Sequence, residues 1–151
     1  SLLLQDWIEE VDEDTITRQY DVGPGDIYSL AQTAEWLLYS AGEIARLLSL
    51  RNVAEELDVL RIRVKHGVKR ELVELVKIKG IGRVKARILY QLGYRTLEDL
   101  KKASLEELIR IPSIGPRTAI SIKQQLGAEL KEKDLVTIKD LNKKTLLDWM
   151  A

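Results

Sequence analysis

The sequence predicts an all-α chain: a helical bundle segment followed by a tandem of helical hairpins. Three observations predict it. Apolar residues recur three and four apart through the first half, most regularly over residues 26–48, the period of a helix with one buried face. Gly80-Ile81-Gly82 separates two apolar-periodic stretches with a tight turn that glycine's missing Cβ permits. A related turn, Ser113-Ile114-Gly115, repeats the pattern: Gly115 follows Gly82 by 33 residues, and Ala119 follows Ala86 by 33. Chance rarely produces repetition at a fixed offset.

The elements follow in order. Leu4, Trp7, Ile8 and Val11 form the apolar stripe of an opening helix. Asp12-Glu13-Asp14 ends it, and Asp14 is placed to cap a short turn through Tyr20. Val22-Gly23-Pro24-Gly25 reads as a turn, with Asp26 as N-cap of the long helix 26–48. Its stripe is Ile27, Leu30, Ala34, Leu37, Ala41, Ile44 and Leu48. Trp36 projects roughly 135° from the stripe centre at ~100° per residue, among Ser29, Gln32, Ser40 and Glu43. Asn52 is expected to cap a helix to about Lys65, with Val53, Leu57, Leu60 and Val64 on one face. His66-Gly67 marks a break. Gly93 ends the helix after the first hairpin, and Ser104-Leu105-Glu106-Glu107 fits a capping box. Pro116 suits a first helical turn, and Gly127 ends that helix. Residues 135–138 read as a short extended piece, and 141–150 as a short docking helix.

Composition removes several classes of function. The chain has no cysteine and one histidine, His66, so disulfides and thiolate metal sites are excluded, and the several Cys or His ligands a zinc site usually needs are lacking. No apolar run nears the ~20 residues of a membrane span, and no signal-peptide pattern opens the chain. There is no Gly-x-x-x-x-Gly-Lys-Ser/Thr phosphate loop. Asp99 and Asp134 lack an activating partner and read as surface residues, so no catalytic residue or metal ligand is assigned. The net charge of zero hides a split. Residues 1–59 hold 3 Lys+Arg against 13 Asp+Glu, whereas residues 60–151 hold 21 against 11. Within 60–92 there are 10 basic and 2 acidic residues, an asymmetry expected of a nucleic-acid surface.

The basic excess peaks at the first hairpin. N–H groups at the start of the helix after the turn lack helical acceptors and carry the positive end of the dipole, which makes an anion site. Gly80, Ile81 and Gly82 shape it; Lys79, Arg83, Lys85 and Arg87 supply charge. The second turn has Ser113 where the first has Gly80, and Gly115, Arg117 and Lys123 offer a weaker second contact. The plainer alternative is that both turns only join antiparallel helices. Trp36 keeps two readings: burial against another segment, or a platform on which a base stacks.

The two turns resemble helix-hairpin-helix motifs. In chain order, Asp6-Trp7-Ile8-Glu9-Glu10, Tyr20-Asp21-Val22-Gly23-Pro24-Gly25-Asp26, Ala34-Glu35-Trp36-Leu37, Gly67-Val68-Lys69-Arg70-Glu71-Leu72 and the run from Gly80 to Arg87 resemble the C-terminal part of archaeal Hjm-type superfamily two DNA helicases. The polymerase-theta-type helicases are relatives. The resemblance covers about residues 2–127. It implies the end of a ratchet-like helical bundle at 1–66, a tandem helix-hairpin-helix DNA-binding domain at 67–127 and a C-terminal tail at 128–151. It also implies single-stranded or forked DNA as ligand, and a full-length ATP-dependent helicase moving 3′ to 5′ in replication-fork repair and recombination. ATP and Mg then belong to motor domains missing from this chain, which itself takes no cofactor. The other implied partners are those motor domains and a repair or replication protein at the tail; the implied setting is cytoplasmic and nucleoid-associated, without a membrane. Trp36 matches the family Trp that presses on a base, while Ser29 stands where the family has an Arg. The rival reading is a protein-interaction module of a helicase-like assembly, which expects Trp36 to be buried.

Overall fold

The computed structural model describes residues 1–127 and 132–150, and the chain divides into two units, Ser1–Val76 and Lys77–Ala151. Every regular element among the described residues is a helix, as the apolar spacing predicts.

In the first unit, α1 (Leu2–Ile8) buries Leu3 and Trp7. Helix α2 (Glu13–Tyr20) is capped by Asp12, whose Oδ1 accepts the Thr15 N–H at 2.9 Å. The expected cap, Asp14, lies instead in the first turn, because Asp12 is the residue with the extended backbone an N-cap needs. Helix α3 (Pro24–Leu47) starts two residues before its expected cap. Gly23 takes the N-cap place, Pro24 fits the first turn, and Asp26 accepts the Gly23 N–H at 2.8 Å. Helix α4 (Arg51–His66) begins after Leu50 with no side-chain cap, so Asn52 lies within the helix. A 3₁₀ turn at Arg70–Leu72 leads to the short α5 (Val73–Val76).

The core joins Leu3, Trp7, Ile16, Ile27, Ala31 and Val64, with Ala34, Leu38 and Leu60 packed against it. Helix α3 therefore buries a different line from the one its large residues suggest. The buried line runs through Ile27, Ala31, Gly42 and Ala45, while Leu30, Leu37, Ile44 and Leu48 are exposed, roughly 90° round the helix. Small residues on that line, Ala31, Gly42 and Ala45, let α3 and α4 approach closely. Trp7 closes the other end of the core. Its indole N–H donates to the Val64 carbonyl at 2.8 Å, and its ring meets Tyr28 edge-on. Gly67 ends α4 at φ +64, and a Cβ there would stand 2.3 Å from Trp7, so the break needs glycine on both counts.

The second unit contains α6 (Arg83–Gln91), α7 (Leu97–Lys102), α8 (Leu105–Ile109), α9 (Pro116–Gln125) and α10 (Glu132–Met150). Thr96 and Ser104 cap α7 and α8 through full capping boxes. Ile78, Ile81, Ala86, Leu89, Leu100, Leu108, Ile114, Ala119 and Ile122 fill the interior. The expected extended piece at 135–138 is helical, within α10. The expectation for the start of the tail falls partly on residues 128–131, outside the described residues. Leu146, Leu147, Trp149 and Met150 at the end of α10 are exposed.

Candidate nucleic-acid interface

The first hairpin turn is built around one buried residue. Ile81 is buried, and its N–H donates to the Ile78 carbonyl at 3.1 Å. Gly80 reaches φ +93, a region that costs a side-chain-bearing residue about 1–2 kcal/mol. Gly82 is the N-cap of α6, and its carbonyl accepts the Ala86 N–H at 2.9 Å. Its φ of −93 suits any residue and a Cβ there meets nothing within 4 Å, so the chain itself makes no use of a glycine at this point. Lys79, Gly80 and Gly82 are exposed, and Arg83, Lys85 and Arg87 are half-buried along α6. Lys85 Nζ donates to the Gly80 carbonyl at 3.3 Å. Arg87 lies over the Tyr90 ring, which it shares with Arg95. The structure thus gathers Lys79, Arg83 and Lys85 at the turn, with Arg87 one helical turn further on.

The second turn repeats this backbone with other side chains. Ile114 is buried and donates to the Ile111 carbonyl at 3.1 Å; Ala119 donates to Gly115 at 3.0 Å. Ser113 takes φ +68 where Gly80 takes +93. At the 33-residue offset, Pro112, Pro116, Thr118 and Ile120 stand for Lys79, Arg83, Lys85 and Arg87. Gly115 and Arg117 are exposed. They border a groove of about 630 Å³ whose other wall includes Asn142, Leu146 and Trp149 of α10.

Lys123 does not face outward, contrary to the sequence expectation. It is 5% exposed, and its ammonium donates to the Lys101 carbonyl at 2.7 Å and the Leu100 carbonyl at 3.5 Å. A buried cation needs such partners; here it caps the C-terminal end of α7. Gln125 escaped the sequence reading altogether. Its carboxamide bonds both the N–H and the carbonyl of Lys79, at 2.8 and 2.9 Å. No local pattern announces a side chain that meets main chain 46 residues away.

Asp99 is engaged in folding. Its Oδ2 accepts the Arg95 and Thr96 N–H groups, each at 3.0 Å, and these bonds hold its carboxyl below the usual carboxylate range. Among the described residues, no group of three or more His, Cys, Asp or Glu side chains is arranged to hold a metal ion, and no helix is long and apolar enough to cross a membrane.

In the first unit, Trp36 is 67% exposed, nearly opposite the buried line of α3. Its face includes Ser29, Gln32, Ser40 and Glu43, and the Ser40 hydroxyl is turned back onto the Trp36 carbonyl.

Comparison with known proteins matches the sequence of both units to known families. Residues 1–67 match the model of the archaeal helicase, domain 4, and residues 72–128 match the SAM-like helix-hairpin-helix tandem. The ATP-dependent DNA helicase Hel308 of Caldivirga maquilingensis is 48% identical over 134 residues. That of Pyrococcus abyssi is 44% identical over 132 residues, and that of Aeropyrum pernix 42% over 151. The chain belongs to the archaeal Hel308-type helicase family. These matches take in 87% to 99% of the chain but only 18% to 20% of each relative. The two family matches meet between Gly67, which ends α4, and Leu72, which opens the run toward the first hairpin.

Proposed function

We propose that this chain is the C-terminal, DNA-binding module of an ATP-dependent 3′-to-5′ helicase of the Hel308 type, acting on single-stranded or branched DNA in replication-fork repair and recombination. Residues 1–66 are then the end of a ratchet-like bundle, 67–127 the tandem hairpin domain and 128–151 a tail. ATP and Mg belong to motor sequence outside this chain, which has neither a phosphate loop nor, among its described residues, a metal-holding cluster.

The observation that carries the reading is the contrast between the two hairpins. The second folds to the same backbone without the cations at the matching positions, so Lys79, Arg83, Lys85 and Arg87 are not needed to make the turn. Cations clustered at a helix start whose N–H groups lack helical acceptors suit a phosphate. Gly82 supports this, because open space and ordinary backbone leave close approach of an outside group as the use of a glycine. Exposed Trp36 supports a base platform.

The test is fluorescence-anisotropy binding of the chain to single-stranded and forked DNA across a salt series. Arg83→Ala/Arg87→Ala should lower the log–log salt slope by about 0.7 for each phosphate that is no longer neutralised. Trp36→Ala should cost ~1–3 kcal/mol and leave the slope unchanged. No binding by the wild-type chain at low salt sinks the proposal.

A protein-contact role has its own observation. Leu30, Leu37, Ile44 and Leu48 line one exposed side of α3, more apolar surface in one row than a solvated helix carries. In this proposal that row meets the motor domains of the same full-length chain. The exposed apolar end of α10 is the corresponding candidate for a repair or replication partner.

A further inference from the structure

We infer that Gln125 is a positioning residue for the phosphate site of the first hairpin; the inference rests on the DNA-binding reading above. Gln125 lies exposed at the end of α9, and its side chain closes a two-bond ring on the main chain of Lys79. Oε1 accepts the Lys79 N–H at 2.8 Å, Nε2 donates to the Lys79 carbonyl at 2.9 Å, and the same Nε2 meets Ser121 Oγ at 3.0 Å. Both amide hydrogens and the amide oxygen are thereby used.

The place of this ring gives it meaning. Lys79 directly precedes Gly80, the glycine of the turn that takes positive φ, and beyond its two sequence neighbours no atom lies within 4 Å of where a Gly80 Cβ would be. Nothing therefore crowds Gly80 into its left-handed conformation from the side. Besides the Lys85 ammonium on its carbonyl, Gly80 is held through its two neighbours in sequence: Ile81, buried and bonded to the Ile78 carbonyl, and Lys79, gripped by Gln125. The second hairpin cannot be gripped in this way. Pro112 stands at the Lys79 position and has no N–H to offer. Gln125 thus fixes the hairpin that carries the cations, and the fixing residue comes from the helix that follows the other hairpin. With the turn ordered in the free chain, phosphate binding no longer bears the ordering cost.

Three measurements on the 151-residue chain test this: thermal unfolding, amide hydrogen exchange at Lys79, and single-stranded DNA affinity. They are made on Gln125→Met, alone and in the Arg83→Ala/Arg87→Ala background. Gln125 is exposed, so unfolding should stay within a few degrees of wild type. Lys79 exchange should quicken, and the Kd should rise about tenfold, the scale of ordering one residue's backbone. In the background lacking the hairpin arginines the same change should move the Kd by clearly less than about tenfold, because only Lys79 and Lys85 then remain to be aimed. Gln125→Ala, with no longer side chain to misplace, should reproduce the loss. Wild-type affinity in Gln125→Met despite a labile Lys79 amide overturns the inference, as does an equal loss in both backgrounds. If the wild-type chain does not bind DNA, the DNA reading fails and this inference with it.

Discussion

The two hairpin turns, both in the second unit, share a backbone and differ in nearly everything exposed. Both bury an isoleucine at the turn, Ile81 and Ile114, and both place a buried alanine four residues after the N-cap glycine. Both send the residue before the isoleucine to positive φ. Outward, Lys79, Arg83 and Lys85 face Pro112, Pro116 and Thr118 at the matching positions. The difference separates two instructions in one sequence. Buried residues and the left-handed turn position specify the hairpin; exposed residues specify what it can hold.

The largest effects should come from the shared part. Ile81→Ala and Ile114→Ala each remove most of a fully packed side chain and should each cost about 2–5 kcal/mol in urea unfolding. If the frames are equivalent, the two losses are comparable. A large cost at one and a negligible cost at the other breaks the comparison, since it would mean that one turn is held by something else.

Charge removal should then divide the hairpins. Arg83→Ala/Arg87→Ala should reduce the salt slope of single-stranded DNA binding by about 1.4, two phosphates at ~0.7 each. Arg117→Ala should change it by ~0.7 at most by the same rule, because it removes a single cation. An equal fall in both variants would make the second hairpin a full phosphate site despite Pro112 and Pro116.

What the sequence made legible follows the same division. The hairpins were readable because their signals are local: a glycine or serine, an isoleucine, a glycine, and a repeat at fixed offset. The all-α fold, the long α3 and the break at Gly67 were readable for the same reason. The line α3 buries was not, because periodicity favours the larger residues, and the packing used Ala31, Gly42 and Ala45 instead. Trp36 was legible as an outlier from its own helix, but only the structure shows it exposed. Lys123 was misread because a lysine near a basic hairpin looks like a phosphate contact. Its destination, two carbonyls at the end of α7, depends on a packing 22 residues back in the chain. Gln125 is the same kind of case.

The turn position itself offers a smaller, reciprocal test. Ser113 sits at φ +68 and Gly80 at +93. Ser113→Gly should stabilise the second unit by about 1 kcal/mol, and Gly80→Ser should destabilise it by a similar amount, since the strain is in the backbone rather than in packing. For a unit of this size that is a melting shift of about 4–8 °C in opposite directions. A loss in both variants would show that the Ser113 side chain contributes something the glycine cannot.

The smallest effect concerns α7, the helix between the hairpins, which is held at one end by Asp99 and at the other by Lys123. N–H groups of Arg95 and Thr96 and the Thr96 hydroxyl hold the Asp99 carboxyl below its ordinary range. The folded state therefore favours the carboxylate. Its contribution is fully present above the unfolded-state pKa, about 3.9, and is lost as pH falls through the lower folded value. Asp99→Asn removes that titration while keeping a side-chain oxygen to accept. Melting temperatures measured from pH 7 down to pH 3 should fall less steeply for Asp99→Asn than for wild type, with the curves diverging only below about pH 4.5. Because α7 belongs to neither hairpin alone, the acid loss should appear equally in Ile81→Ala and Ile114→Ala backgrounds. An acid response confined to one background would tie α7 to that hairpin and end the symmetry between the two frames.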